Sequence, residues 1–324
     1  MSTEKNIQEK IRLHLRNKNR ERYDLKALLV AVPELEAHII PSKSGEDSVD
    51  FANPLAVKLL NKSLLHHYYG IKNWDFPEEN LVPPIPGRAD YLHYIADLLG
   101  QSNFGTIPTG NKITGLDIGV GANNIYPILG VVEYDWNFIG SDISAESLES
   151  AKNIVEANPE LKDKIEFRLQ VNANSIFEDI INTEEKIDFT LCNPPFHSSL
   201  EEAKKGTHRK IQNLSKKKVK TTALNFAGMS KELVCEGGEH TFIHNMIEES
   251  RMFAKNCFWF STLVSKKSNL KGIYKALSLM EAVQVKTIPI GTGNKSSRII
   301  AWSFLSKEEQ KEWRERRWKE SEVN

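Results

Sequence analysis

The chain has 324 residues, 40% of them hydrophobic, with 43 Lys and Arg set against 43 Asp and Glu. That length fits one large domain, or a core with an appendage, and the apolar content supports a real core. Zero net charge excludes a uniformly basic nucleic-acid binder, and no apolar run is long enough to span a membrane. The opening residues, Met1-Ser-Thr-Glu-Lys-Asn, lack the apolar stretch of a signal peptide. Cys192, Cys235 and Cys257 are odd in number and far apart, which suggests neither a disulfide framework nor a zinc site; the expected setting is a reducing cytoplasm.

In chain order, residues 1–102 read as a helical front module, with periodic apolar positions Leu25, Leu28, Leu29 and Val32 and breaks at Pro33, Pro41 and Pro77 to Pro86. Lys10 to Arg22 carries six basic residues against Glu21, either an RNA contact or a solvated face. Tyr91 to Leu99 is an apolar helix, and Gln101 to Asn111 is a linker. From 103 to 305, strands expected near Ile113, Asn137, Ile165, Ile187, Cys257, Gln284 and Arg298 alternate with helices, the pattern of an α/β doubly wound sheet. The last two, joined by Gly291-Thr-Gly-Asn-Lys-Ser-Ser, look like an antiparallel hairpin. Residues 306–324 form a tail whose Lys307 to Val323 portion reads as a charged helix, with Trp313 and Trp318 packed on the body.

Four segments carry chemistry. Ile113-Thr-Gly-Leu-Asp117-Ile-Gly119-Val-Gly121 is a strand followed by a tight glycine turn and a helix from about Asn124, whose free N–H groups can meet a ligand. A dinucleotide fingerprint wants glycine where Asn124 stands. Asp117 would repel phosphate but suits a ligand bearing an ammonium group. The next strand ends in Asp142, roughly twenty residues beyond the glycines, where an acid accepts hydrogen bonds from ribose hydroxyls. The third leads into Asn172, Asn174 and Ser175, placed to read an adenine edge; loop length leaves Asn172 and Asn174 both open, with Asn174 preferred. Fourth, the buried strand Ile187 to Cys192 stops at Asn193-Pro194-Pro195-Phe196. Two prolines end a strand and fix the backbone. Asn193 Oδ1 and the Pro194 carbonyl can each accept an N–H of an exocyclic amine, and Phe196 can stack on its ring. Together these describe an S-adenosylmethionine site with an amino-group acceptor beside it. His197 adjoins the motif as a substrate contact or an ordinary loop histidine. Lys204 to Lys220 then holds eight basic residues and no acid, including Lys204, Lys205, Arg209, Lys210, Lys216, Lys217 and Lys218. A basic loop (198–232) at the mouth of the site is placed to hold phosphates.

The sequence resembles the class I methyltransferases of the amino-methylating branch. Within them it is similar to the bacterial 23S ribosomal RNA adenine-N6 methyltransferases, the methyltransferase F family of the large subunit, related to the eukaryotic U6 small nuclear RNA adenine methyltransferase. Leu15-Arg16-Asn17, Arg22-Tyr23-Asp24, Val49-Asp50-Phe51, Pro84-Ile-Pro-Gly-Arg88-Ala-Asp90-Tyr91, Asn124-Ile-Tyr-Pro127, Glu236-Gly-Gly-Glu239, Gly293-Asn-Lys295-Ser-Ser-Arg298 and Ala301-Trp302-Ser-Phe304 carry the likeness over nearly the whole chain. It implies a seven-stranded Rossmann-like sheet, S-adenosyl-L-methionine as methyl donor with S-adenosyl-L-homocysteine as product, and 23S ribosomal RNA or a large-subunit assembly intermediate as partner. It also implies that Arg88 pairs with the methionyl carboxylate, that Asp117, Gly119, Gly121, Asp142, Asn174 and Asn193 line the cofactor, and that Lys295 and Arg298 join the RNA contacts.

The rival readings are methylation of guanine N2 or of a protein glutamine amide, and a non-catalytic RNA-binding or assembly protein on the same fold. His240 and His244, four apart on a helix, have no third metal ligand nearby in sequence, so no metal is expected. Oligomeric state is not legible from the residues.

Overall fold

The computed structural model describes residues 13–42, 45–196, 234–291 and 297–319. A seven-stranded sheet organises them. In chain order its strands are β3 (Thr114–Ile118), β4 (Asn137–Asp142), β5 (Ile165–Leu169), β6 (Ile187–Cys192), β7 (Cys257–Val264), β8 (Gln284–Ile290) and β9 (Ser297–Ser303). They lie in the order β5-β4-β3-β6-β7-β9-β8. The first five are parallel, and β9 runs antiparallel to both its neighbours. All seven begin within a residue of the position expected from sequence, and the last two form the expected hairpin.

Strand order reverses between β3 and β6, and an open sheet binds ligands at the carboxyl ends beside such a reversal. Register makes this concrete. Ile118 pairs with both Ser141 and Cys192, and Asp142 pairs with Leu169. The glycine turn, Asp142, the segment after Leu169 and Asn193 therefore leave the sheet side by side, although up to 74 residues separate Gly119 from Asn193 in the chain.

The front module differs in one respect from its helical reading. Ile39–Pro41 (β1) and Asp47–Val49 (β2) pair as an antiparallel ribbon. Three-residue strands are too short to show an alternation against the helical pattern around them. The helix Pro54–Tyr69 has proline at its first position, Asn53 as its N-cap and Gly70 at φ 76° as its stop. The expected Tyr91 to Leu99 helix runs from Ile85 to Ser102. One apolar cluster takes in Leu28, Leu60 and Trp74 of the module together with Ile128, Phe138 and Phe189 of the sheet layer. A second cluster covers the sheet under the helices Gly238–Ser250 and Leu270–Leu279.

Among the described residues of the N-terminal basic run, Arg16, Lys18 and Arg22 are paired within the fold. Arg16 donates to Asp97 at 2.7 Å and to the Tyr134 hydroxyl at 3.0 Å, Lys18 pairs with Glu133 at 2.7 Å, and Arg22 with Glu46 at 2.6 Å. Nearby, His14 and Asn17 meet Asp90, and His93 lies 2.7 Å from the Tyr134 hydroxyl. Through Asp90 and Asp97, His14, Arg16 and Asn17 are tied to the helix carrying Arg88.

The C-terminal tail packs on the body as expected, but its helix departs from a single α-helix. Lys307–Trp313 is α-helical, opened by a Ser306–Glu309 capping box. Arg314–Trp318 is then a π-turn. An α-helix would send residues 313 and 318 to different sides. The wider i→i+5 turn returns them to one side, where both indoles donate to Asp188 Oδ1, at 2.7 Å from Trp313 and 2.6 Å from Trp318.

Candidate active site

The glycine turn is shaped by backbone sterics. Gly119 and Gly121 have φ of 71° and 66°, where side chains are disfavoured. Asn124 also has positive φ, 53°. Asparagine tolerates that left-handed region, which explains why it stands where a dinucleotide fingerprint has glycine. A Cβ added at Gly119 would meet nothing within 4 Å, so a ligand can approach the backbone there. The turn is pinned from the front module, because the Trp74 indole donates to the Asn123 carbonyl at 2.8 Å.

Asp117 is buried, and its Oδ2 has no hydrogen-bond partner. Desolvation pushes its carboxyl well above the usual range; the Arg88 charge pulls it back and the Asp142 charge adds to the rise. An ammonium group beside it would offset that burial. Asp142 accepts from Gly121 N and Ser144 N, both at 2.9 Å. Burial raises its pKa, and those backbone N–H bonds oppose the rise. Asp142 thus ties the glycine turn to the end of β4, with further lone pairs on each oxygen for a ligand.

Asn172 and Asn174 differ in their surroundings, though both are exposed. Asn172 bonds within its own turn: its Oδ1 accepts from Asn174 N at 3.1 Å and its Nδ2 donates to Ser175 at 2.9 Å. The Asn174 side chain is exposed beside it.

Asn193 leaves β6 half-buried, Pro194 is buried, and Phe196 is half-buried. Arg88 reaches this turn from the helix Ile85–Ser102. Its Nη1 donates to Asn193 Oδ1 and to the Tyr126 hydroxyl, each at 3.0 Å. Behind the turn, Cys192 N donates to the buried Tyr91 hydroxyl at 3.3 Å, which lies 2.8 Å from Ser261 Oγ.

His197, Lys204, Lys205, Arg209, Lys210, Lys216, Lys217, Lys218 and Lys295 lie outside the described residues. Arg298 opens β9 opposite Val264 at the carboxyl end of β7 and is half-buried. It therefore sits at the carboxyl edge of the parallel strands. His240 and His244 stack at 4.1 Å, and His244 Nδ1 lies 2.8 Å from the His240 carbonyl. Among the described residues, no three His, Cys, Asp or Glu are grouped to hold a metal. Nor, among them, is any helix long and apolar enough to cross a membrane.

Residues 7–306 match the RNA methyltransferase family. The chain belongs to that family. It is 51% identical over 336 residues to the ribosomal RNA large subunit methyltransferase F of Photobacterium profundum, covering 98% of this chain and 99% of that one. It is 54% identical over 316 residues to the protein of the same name from Flavobacterium johnsoniae, covering 97% and 100%. The human METTL16 catalytic domain in complex with a MAT2A hairpin superposes with a TM-score of 0.76 at 29% identity, over 91% of this chain and 96% of that one. The N-terminal domain of human METTL16 in complex with SAH gives 0.71 at 27% identity, over 91% and 99%. The sheet is accordingly the class I methyltransferase fold.

Several residues of this RNA methyltransferase escaped the sequence reading. Glu249 accepts from Ile176 N, Phe177 N and Glu178 N at 2.7–2.8 Å and so anchors the loop carrying Asn174. No local pattern marks a carboxylate that acts on a loop more than seventy residues away. Ile143 and Val171 are 61% and 85% exposed at the ends of β4 and β5. Ile143 directly follows the strand-end acid Asp142, and Val171 stands two residues beyond the end of β5.

Proposed function

We propose that this protein transfers a methyl group from S-adenosyl-L-methionine to the N6 amine of one adenine in 23S ribosomal RNA, free or within a large-subunit assembly intermediate. The observation that carries the reading is the register at the switch point. It sets the Gly119–Gly121 turn, Asp142 and the Asn193-Pro194-Pro195-Phe196 turn side by side on neighbouring strand ends. The family and the named relatives support the same chemistry.

The residues present fit the cofactor. Asp117, with its unpartnered buried oxygen, would take the methionyl ammonium. Arg88 keeps its Nε and Nη2 edge for the carboxylate, in the fork geometry that suits bidentate pairing. Asp142 would take ribose hydroxyls, Asn174 the adenine edge, and Ile143 and Val171 its faces. The bound cofactor supplies a methyl group already activated as a sulfonium, and S-adenosyl-L-homocysteine is the product.

An exocyclic adenine nitrogen is a poor nucleophile, because its lone pair is delocalised into the ring. Asn193 Oδ1 and the Pro194 carbonyl accept its two hydrogens, favour a tetrahedral nitrogen and stabilise its developing positive charge. Phe196 stacks on the base and compensates part of its unstacking. The proton leaves to water. The basic segment 198–232, with Lys295 and Arg298, supplies phosphate contacts around the target. Residues 1–102 act as a front module to the catalytic domain 103–305, with 306–324 as a packed tail. The proposed setting is cytoplasmic.

Mapping N6-methyladenine on 23S RNA from a deletion strain tests this. One methyl group should vanish and return with the wild-type gene. An unchanged map, or a loss at guanine N2, rejects the reading. At the cofactor end, Asp142→Ala should weaken S-adenosylmethionine binding about 10- to 100-fold, as for loss of a charged hydrogen bond. Unchanged affinity by calorimetry in the folded variant would remove Asp142 from the ribose role.

A further inference from the structure

Tyr126 follows the glycine turn, at the second position of the helix Ile125–Tyr134. It is 4% exposed and packs edge-on against Tyr91, with ring centroids 5.5 Å apart. Its ring would be ordinary core. Its hydroxyl is not, because Arg88 Nη1 donates to it at 3.0 Å and the guanidinium lies 5.4 Å from the ring centre. The same nitrogen donates to Asn193 Oδ1. Nη1 carries two hydrogens, and each has one of these acceptors.

That division fixes an orientation. A guanidinium only donates, so it selects the oxygen of the Asn193 amide and rejects the NH2. The oxygen then has its second lone pair for an incoming amine hydrogen. A flipped amide would instead present N–H groups to the attacking nitrogen and oppose the reaction. Burial foremost pushes the Tyr126 hydroxyl up to about 12, so it stays neutral and able to accept.

We propose that Tyr126 is a positioning residue for methyl transfer: by accepting one hydrogen of Arg88 Nη1 it aims the other at Asn193 Oδ1, and so sets which end of the amide faces the acceptor amine. Arg88 then serves cofactor and acceptor at once, with Nε and Nη2 toward the carboxylate and Nη1 toward Asn193. Binding at the two subsites is coupled through one side chain, and such coupling is reciprocal. The catalytic part of this inference rests on the methyl-transfer reading above; the orientation of the amide does not.

The test is Tyr126→Phe, which keeps the ring and removes the hydroxyl. At saturating cofactor and RNA, kcat should fall about tenfold, the size expected for one lost charge-assisted hydrogen bond. A purely structural tyrosine would lower thermal stability and leave turnover per folded molecule unchanged. A tyrosine acting only through cofactor affinity would raise KM and recover at saturation. In the Asn193→Ala background the same substitution should cost nothing further, because both act through one bond. A second readout needs no substrate. With isotope-labelled asparagine side chains, the Asn193 amide resonances, identified by their loss in Asn193→Ala, should shift in both Tyr126→Phe and Arg88→Lys. Unmoved resonances, or turnover within twofold of wild type, overturn the proposal. If wild-type protein methylates no 23S RNA, the functional reading fails, and the resonances still decide the role of Tyr126.

Discussion

Asn193→Ala should lower methyl transfer by about two orders of magnitude, the loss typical of one preorganised transition-state acceptor. Half of the acceptor pair disappears, and the Pro194 carbonyl alone cannot hold the amine tetrahedral. Cofactor affinity should change far less. The substitution removes one Arg88 contact at Nη1 and leaves the Nε and Nη2 edge intact. Single-turnover rates with saturating RNA, set beside calorimetry for S-adenosylhomocysteine, separate the two effects. Near-wild-type turnover of the purified variant would remove Asn193 from the chemistry.

The second large effect is on stability. The Asp188 carboxylate, fully buried in β6, accepts five hydrogen bonds. They come from Thr114 N, the Trp313 and Trp318 indoles, and Arg317 through Nε at 3.1 Å and Nη2 at 2.6 Å. Asp188→Ala leaves these donors without their acceptor beneath the tail. Breaking a buried ion pair by removing one partner costs roughly 3–5 kcal/mol. Arg317 keeps partial solvent access, which places this case near the lower end. The urea midpoint should fall accordingly, and the Trp313 and Trp318 fluorescence should move to longer wavelength early in unfolding. A midpoint equal to wild type would show that the tail is not held by Asp188.

Much of this fold was legible because its strands are short apolar runs between clear punctuation. Ile187 to Cys192 ends on two prolines, and Thr114 to Ile118 ends on two glycines. The order Asp117, Gly119, Asp142, Asn193 was legible because each stands at a strand end, where chain position and sheet edge coincide. The links between those positions were not. Nothing near Arg88 in sequence announces that it touches Asn193, 105 residues later, or that Glu249 holds residues 176–178. The ribbon Ile39–Pro41 with Asp47–Val49 was hidden by its brevity. The π-turn at Arg314–Trp318 was hidden because its cause, Asp188, lies 125 residues before Trp313. The partners of Arg16, Lys18 and Arg22 were hidden for a related reason: Asp97, Glu133 and Glu46 lie elsewhere in the chain.

The helix Gly238–Ser250 is fastened at both ends by carboxylates. Near its start, Glu239 accepts from Ser265 N, Lys266 N and Asn269 Nδ2; near its end, Glu249 holds Ile176, Phe177 and Glu178. The helix is therefore a splint between two distant parts of the chain: residues 176–178 hang from one end and residues 265–269 from the other, so removing either carboxylate would release one of them while leaving the helix itself in place.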